Sequence, residues 1–151
     1  MRVGCPWRDL PSKFGVWNSV YQQFNRWSSK NKLMKIFITG TDTNVGKTLI
    51  CSWIALHTGF SYFKPIQTGT SDGADSFEVQ KLSDAKIYPE IYAYKEPLSP
   101  HLAAKIENEA IDIEKIVLPE ENNLIIEGAG GVLVPINDTY LMIDLIKKLG
   151  A

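Results

Sequence analysis

A strand-like apolar run that leads into a glycine-bounded loop and then into Gly-Lys-Thr constrains this chain more than any other feature. Residues 36–38 read Ile-Phe-Ile, and residues 40–48 read Gly-Thr-Asp-Thr-Asn-Val-Gly-Lys-Thr. Small residues let backbone N–H groups close around phosphate oxygens at the start of a helix. Lys47 supplies a charge for terminal phosphates, and Thr48 a hydroxyl for Mg²⁺. The run therefore predicts a strand, a phosphate-binding loop and a helix, with ATP as the candidate ligand.

The spacing within the loop departs from the common Gly-x-x-x-x-Gly-Lys-Ser/Thr pattern. That pattern places its first glycine at position 41, where this chain has Thr41, with Gly40 one residue earlier. A plain strand–helix turn without a ligand remains the alternative, because Gly-Lys-Thr is a short and common tripeptide. The flanking strand and helix favour a phosphate site.

The composition divides the chain near Met34. Residues 1–33 carry a net charge of +5 and contain three of the four tryptophans, whereas residues 34–151 carry −6 and contain no arginine. Such a shift indicates two segments of different origin. We expect a basic, tryptophan-rich extension over residues 1–33 and one domain over residues 34–151.

The composition also argues against several classes of protein. The overall net charge of −1 gives no reason to expect general affinity for nucleic acid or membrane surfaces. No apolar stretch approaches the roughly 20 residues of a membrane helix, and the N-terminal segment lacks the apolar core of a signal peptide. We expect a soluble, cytoplasmic protein, and we assign no role to Cys5 or Cys51.

The hydrophobic pattern predicts an α/β fold, a P-loop NTPase-like parallel sheet flanked by helices. Residues 123–127 are typical of a strand buried on both faces of such a sheet. After the first strand, the predicted order is a helix over 48–57, a strand over 61–64, a polar loop over 67–73, a helix over 75–82, a helix from His101, a short helix over 113–118, the strand over 123–127, a strand over 132–135 and a helix over 140–149.

Three charged side chains stand where such a sheet binds ligands. Lys64 follows the second strand, and Asp75 starts a helix after a glycine-containing loop. Glu127 ends the buried strand and precedes residues 128–131, Gly-Ala-Gly-Gly, so it is typical of a Mg²⁺ ligand. The structural alternatives are a solvated lysine, a helix-capping aspartate and a tight glycine turn.

Together these segments resemble the dethiobiotin synthetase family over residues 34–151. The segments that carry the resemblance are 40–48 (GTDTNVGKT), 64–69 (KPIQTG), 73–75 (GAD), 97–101 (PLSPH) and 127–131 (EGAGG). The resemblance implies that ATP, CO₂ and 7,8-diaminononanoate give dethiobiotin, ADP and phosphate. A carbamate of the substrate attacks the γ-phosphate to form a carbamic-phosphoric anhydride, and the second amine then closes the ureido ring, as a C–N bond-forming ligase would do.

The resemblance also implies the site residues and the cofactors, ATP and Mg²⁺. The two catalytic lysines are Lys47 and Lys64. The residues expected to bind ATP are Thr43, Asn44, Val45, Gly46, Lys47, Thr48 and Glu127. Those expected to bind Mg²⁺ are Thr48, Asp75 and Glu127. Those expected to bind the diamine substrate are Thr43, Lys64, Thr68, Ala129, Gly130 and Gly131. Asn44 stands where many members carry an acid, and the intact family is expected to form homodimers.

The end of the chain departs from the family pattern. The sequence stops at Ala151, where the next buried strand of the family begins, so we expect a sheet that is incomplete at the C-terminus. The expectation is a truncated synthetase that holds the phosphate half of its site without the purine-binding half, and that lacks turnover.

The N-terminal segment resembles the start of an insertion-sequence transposase. The resemblance rests on residues 4–11 (GCPWRDLP), 14–17 (FGVW), 20–21 (VY), Phe24 and 26–27 (RW). No transposase catalytic carboxylates accompany it, so a remnant is expected and DNA binding is the alternative.

Other functions remain open on the sequence alone. A related ATP-dependent amidotransferase of the cobyrinic acid type shares a similar phosphate loop, although the 127–131 segment favours the synthetase. Partitioning ATPases carry a second lysine near the start of the loop, where this chain has Gly40, Thr41 and Asp42. The non-functional product of a rearranged gene is the third alternative.

Overall fold

The structure is a computed structural model that describes Val16, Asn18, Ser19, Gln22 and residues 34–150. Its division into compact units falls between Leu33 and Met34. The predicted N-terminal extension therefore lies almost wholly outside the described residues, and the fold below is that of residues 34–150.

Two parallel sheets organise these residues. The main sheet has the strand order β1-β6-β2-β4, and a smaller sheet pairs β3 with β5. The strands are β1 (Met34–Gly40), β2 (Ser61–Phe63), β3 (Ile66–Thr68), β4 (Ile87–Tyr88), β5 (Tyr92–Tyr94) and β6 (Asn123–Gly131). The prediction of a parallel α/β fold is confirmed.

Within residues 34–150, three α-helices lie between strands and a fourth follows β6, and the start of each was predicted from the sequence to within two residues. They are α1 (Lys47–Thr58), α2 (Asp75–Ser83), α3 (Pro100–Ile106) and α4 (Met142–Leu149). Gly59 ends α1 in the left-handed conformation that glycine adopts without steric cost. Of the predicted helix over 113–118, only a short 3₁₀ turn, Ile113–Lys115, is formed. Among the described helices, none is long and apolar enough to span a membrane.

Strand β6 lies at the centre of the hydrophobic core, with its side chains alternating between two faces. Ile125 packs with Tyr62 and with Cys51 of α1, whereas Leu124 and Ile126 pack with Phe63 on the other face. All of these residues are buried. The apolar run at 124–126 thus covers both faces of the sheet, as expected for a central parallel strand.

Three further local predictions were wrong. Residues 132–135 were expected to form a strand, but they turn: the Val134 N–H donates to the Gly131 carbonyl, and Pro135 makes only an isolated bridge to Leu141. Residues 66–68 form β3, although 67–68 had been assigned to a loop. Strand β6 continues through Gly131, past the expected end at Glu127.

Candidate active site

A cavity of about 820 Å³ opens at the carboxyl ends of the strands. All of the residues predicted for the site line it, except Val45 and Gly131. Residues that are up to 87 positions apart in sequence therefore meet at one edge of the sheet, where parallel α/β folds bind ligands.

The phosphate-loop segment, residues 40–48, joins β1 to α1 through two left-handed residues. Asn44 has φ 55°, which asparagine tolerates better than most residues, and Gly46 has φ 94°. No described side chain caps the N-terminus of α1, and the first turn of the helix carries no acidic residue. The uncapped N–H groups and the positive end of the helix dipole suit an anion such as a phosphate.

Lys47, the first residue of α1, is largely buried beside this loop. Its Nζ donates to the Asp42 carbonyl over 2.6 Å, so the side chain folds along the loop. Burial lowers the pKa of the Lys47 amine, while the negative charge of Glu127 acts in the opposite direction. The loop therefore holds a cation in contact with its own backbone, close to where phosphate oxygens would lie.

Glu127 connects the sheet to the phosphate loop. Its carboxylate is 1% exposed, and its Oε1 accepts hydrogen bonds from the Thr48 hydroxyl over 3.0 Å and from Lys64 Nζ over 3.3 Å. Its Oε2 accepts from the Tyr62 hydroxyl over 2.9 Å. Both oxygens of this buried carboxylate thus have partners, as a buried charge requires.

Lys64 lies between two carboxylates. This buried ammonium forms ion pairs with both Asp75 and Glu127. Asp75 is the first residue of α2 and is only partly buried, so it contacts both Lys64 and the cavity. The three side chains that the sequence placed at separate strand and helix ends form one ionic network.

Gln67 is a site residue that the sequence analysis did not assign. It is 3% exposed, its Oε1 accepts from the Asp75 N–H over 3.3 Å, and its Nε2 donates to the Thr68 carbonyl over 2.7 Å. It therefore fixes the start of α2 relative to β3. The sequence offered one indication of this role, the position of Gln67 inside the 64–69 segment. Its contact with Asp75 becomes evident only when residues 66–68 are recognised as strand β3.

The oxygen donors at the bottom of the cavity fit a magnesium ion. The Thr48 hydroxyl and the Asp75 and Glu127 carboxylates are the hard ligands that Mg²⁺ prefers. The Lys64 ammonium already lies between the two carboxylates, so the chemistry of this position favours a cation. Within residues 34–150, no group of three or more His, Cys, Asp or Glu side chains could hold a metal alone. Mg²⁺ would thus complete its coordination with phosphate oxygens and water.

Two further side chains near Glu127 stay protonated. Burial first, and then the negative charge of Glu127, raise the pKa of the Tyr62 hydroxyl and of the Cys51 thiol well above their ordinary values. These shifts favour a Tyr62 hydroxyl that donates a hydrogen bond and a Cys51 side chain in its thiol form.

Gly131 allows the end of β6 to approach the phosphate loop. A Cβ atom at this position would lie 2.7 Å from the Thr41 carbonyl oxygen. Gly131 pairs in register with Gly40, and the Val132 N–H donates to the Gly40 carbonyl over 3.2 Å. This contact gives a structural reason for one glycine of the 128–131 run, whereas Ala129 and Gly130 line the cavity.

Comparison with known proteins agrees with this geometry. The model of the AAA domain family matches residues 34–151. The chain is 60% identical to an ATP-dependent dethiobiotin synthetase of Lawsonia intracellularis, over 77% of this chain and 57% of that protein. A protein of the same name from Paramagnetospirillum magneticum is 47% identical, over 76% of this chain and 57% of the relative. A biotin biosynthesis bifunctional protein of Bordetella avium is 42% identical, over 76% of this chain and 26% of that protein.

Each of these matches covers only part of the chain and part of the relative. The chain spans little more than half the length of the first two of these relatives. A second family model, described as "Putative transposase of IS4/5 family", matches residues 1–37, so the resemblance predicted for the N-terminal segment is confirmed.

Proposed function

The chain belongs to the AAA domain family, and we propose that it carries the phosphate-, metal- and diamine-binding part of an ATP-dependent dethiobiotin synthetase. The reaction converts ATP, CO₂ and 7,8-diaminononanoate into dethiobiotin, ADP and phosphate. Support comes from the relatives' names and from a cavity whose lining matches the chemistry of phosphoryl transfer.

One observation carries the proposal. Thr48 at the start of α1, Lys64 after β2 and Glu127 of β6 are joined by hydrogen bonds, and Asp75 pairs with the same lysine. A phosphate-loop hydroxyl in contact with a buried carboxylate of the central strand is the arrangement expected around Mg·ATP.

In the proposed reaction, the lysines neutralise negative charge. The N-terminus of α1 and Lys47 bind the terminal phosphates of ATP, with Thr43, Asn44, Val45 and Gly46 in the same loop. Lys64 lies between the carbamate of the substrate and the γ-phosphate. A carbamate oxygen attacks the γ-phosphorus and ADP leaves, and the second amine then attacks the carbamate carbon and expels phosphate. Charge placed in advance around the transferred group lowers the barrier to such a step.

The metal-binding residues in this proposal are Thr48, Asp75 and Glu127. Mg²⁺, when bound, neutralises charge that develops on the β- and γ-phosphate oxygens. Glu127 is buried and Asp75 is partly exposed, so these residues would hold the ion between the core and the open side of the cavity.

The proposed diamine site occupies the remaining wall of the cavity. Thr43 and Thr68 contact the carbamate end of the substrate, and Ala129 and Gly130 lie beside the diamine. Gly131, which does not line the cavity, holds this segment against the phosphate loop. Leu49 and Phe77 also line the cavity and are 65% and 67% exposed, so they offer apolar surface to an alkyl chain. A cytoplasmic homodimer is the proposed working form.

Calorimetric titration of the purified chain with 7,8-diaminononanoate tests the proposal. We expect binding that strengthens when bicarbonate and a non-hydrolysable Mg·ATP analogue are present, because both help to form and hold the carbamate. Lys64→Ala should weaken that binding about tenfold or more, whereas the exposed control Lys95→Ala should not. Absence of diamine binding by the wild-type chain would overturn the proposed function.

Turnover is measured in the same mixture with ATP and ¹³C-labelled bicarbonate. Dethiobiotin that carries the label shows the complete reaction. Diamine binding without labelled product shows that the chain binds the substrate and does not turn it over.

A further inference from the structure

Tyr62 is a buried side chain whose polar group contacts the proposed metal-binding carboxylate from the core. It is 0% exposed, and its hydroxyl donates to Glu127 Oε2 over 2.9 Å. The other oxygen, Oε1, accepts from Thr48 and Lys64. The two oxygens of Glu127 therefore have different surroundings, one toward the core and one toward the phosphate loop.

The register of the sheet fixes the tyrosine in this place. Tyr62 of β2 lies opposite Ile125 of β6, which is two residues before Glu127 and so on the same face of the strand. The ring packs in a buried cluster with Cys51, Ala55 and Ile125. Because the ring is enclosed by packing, its hydroxyl has little freedom to leave the carboxylate.

A carboxylate that is 1% exposed needs partners for both oxygens, and Tyr62 supplies a strong donor to Oε2. The neighbouring Cys51 thiol is a much weaker donor. Without the tyrosine hydroxyl, Oε2 would lose this donor, and the orientation of the carboxylate would depend on the Thr48 and Lys64 contacts of Oε1 alone. Partners of this kind are known to tune metal affinity through the ligand they orient.

We propose that Tyr62 is a positioning residue for the binding of a divalent cation with its nucleotide: its hydroxyl fixes Oε2 of Glu127, so that Oε1 lies beside the Thr48 hydroxyl where the metal would bind. The inference rests on the proposed function, because it requires Glu127 to be a metal ligand. It assigns a role to a residue that contacts neither nucleotide nor metal.

The test is the affinity of the full chain for Mn²⁺, followed by electron paramagnetic resonance, with a non-hydrolysable ATP analogue at saturation. Tyr62→Phe keeps the ring and removes the hydroxyl. We expect Mn²⁺ affinity to fall about 10- to 100-fold. Affinity for the metal-free nucleotide should stay within about twofold of wild type, a separation that a merely structural role would not produce.

Tyr94→Phe is the matched control. Tyr94 is equally buried, and its hydroxyl also donates to a carboxylate, Glu109, but neither residue lines the cavity. This variant should leave Mn²⁺ affinity unchanged. A second measurement places Tyr62→Phe in a Glu127→Gln background, where the loss caused by the tyrosine change should largely disappear because its target is already altered.

The outcomes separate this inference from the proposed function. A wild-type chain that binds no metal–nucleotide complex overturns both. Two results would overturn the positioning role alone, provided that the wild-type chain binds the metal–nucleotide complex. Tyr62→Phe could bind Mn²⁺ as tightly as the wild type, or it could lose affinity for Mn²⁺ and for the metal-free nucleotide equally. If Tyr62→Phe does not fold, Tyr62→Met, a smaller and flexible apolar side chain without a hydroxyl, replaces it and the same criteria apply.

Discussion

At the scale of single residues, the site depends on how two buried opposite charges are kept together. Lys64 and Glu127 are both almost completely buried, and burial of either charge alone would be costly. The Thr48 and Tyr62 hydroxyls satisfy the carboxylate further, and Asp75 pairs with the lysine. The same network that lines the proposed phosphate site should therefore also contribute to stability.

Lys64→Met should lower the free energy of unfolding by about 3 kcal/mol, because it leaves the buried Glu127 carboxylate without its counter-charge. Urea denaturation followed by fluorescence measures the change. Lys86→Met is the control: Lys86 also pairs with a glutamate, Glu121, but its side chain is exposed, so the effect should be much smaller. Equal losses in the free energy of unfolding of Lys64→Met and Lys86→Met would show that burial of the Lys64–Glu127 pair does not set its contribution to stability.

At the scale of secondary structure, the sequence predicted the elements with local signals and missed those with distant partners. Helix α1 has its glycine stop at Gly59, and the run at 124–126 has the apolar character of a central strand. Strand β3 has only three residues between Pro65 and Gly69, and it forms because Tyr92–Tyr94, more than twenty residues later, pairs with it. No local pattern reveals such a partner.

The sequence predicted individual residues of the candidate site, but not the hydrogen bonds and ion pairs between them. The sequence placed Lys64, Asp75 and Glu127 at the ends of elements, and the structure brings all three together. Tyr62 looks like an ordinary strand residue, and Gln67 was assigned to a loop, so neither was expected at the site before its partner was known. Strand alternation identifies the face on which a residue lies, but not the side chain that it meets.

The contact between the end of β6 and the phosphate loop gives a prediction at this scale. Gly131→Ala would place a Cβ atom 2.7 Å from the Thr41 carbonyl oxygen, so we expect a loss of about 2 kcal/mol in the free energy of unfolding. Because the added Cβ atom would displace Thr41 of the phosphate-loop segment, the affinity for Mg·ATP should also fall.

Gly150→Ala is the comparison for this variant. Gly150 has φ 65° with open space around its Cα, so the substitution should cost about 1 kcal/mol and leave nucleotide affinity unchanged. Thermal denaturation and calorimetric titration measure both quantities. Unchanged nucleotide affinity in Gly131→Ala would contradict a coupling between β6 and the loop.

At the scale of the whole molecule, the buried Cys51 and Tyr62 side chains near Glu127 should make the free energy of unfolding fall as the pH rises. Burial raises the pKa of Cys51 above its ordinary value of 9.0, and that of Tyr62 above 10.0. The unfolded chain releases these protons at lower pH than the folded chain does. The contribution to stability is therefore complete below about pH 9 and is lost as the pH rises further.

The free energy of unfolding should fall above pH 9 by up to about 1.4 kcal/mol per pH unit for each of these groups. Urea denaturation at pH 8, 9.5 and 10.5 measures the decline. Cys51→Ala and Tyr62→Phe each remove one group, so each variant should show a shallower decline than the wild type. Parallel declines in all three proteins would mean that neither proton is held more tightly by the folded state.

Binding of Mg·ATP tests the central claim, that residues 40–48 and the Lys64–Glu127 network form a nucleotide site. Calorimetric titration should show one Mg·ATP bound per wild-type chain. Lys47→Ala should bind about 10- to 100-fold more weakly because it removes the charge nearest the phosphates. The exposed Lys35→Ala of β1 should bind like the wild type. No binding by the wild-type chain, or equal affinity in wild type and Lys47→Ala, would contradict the account.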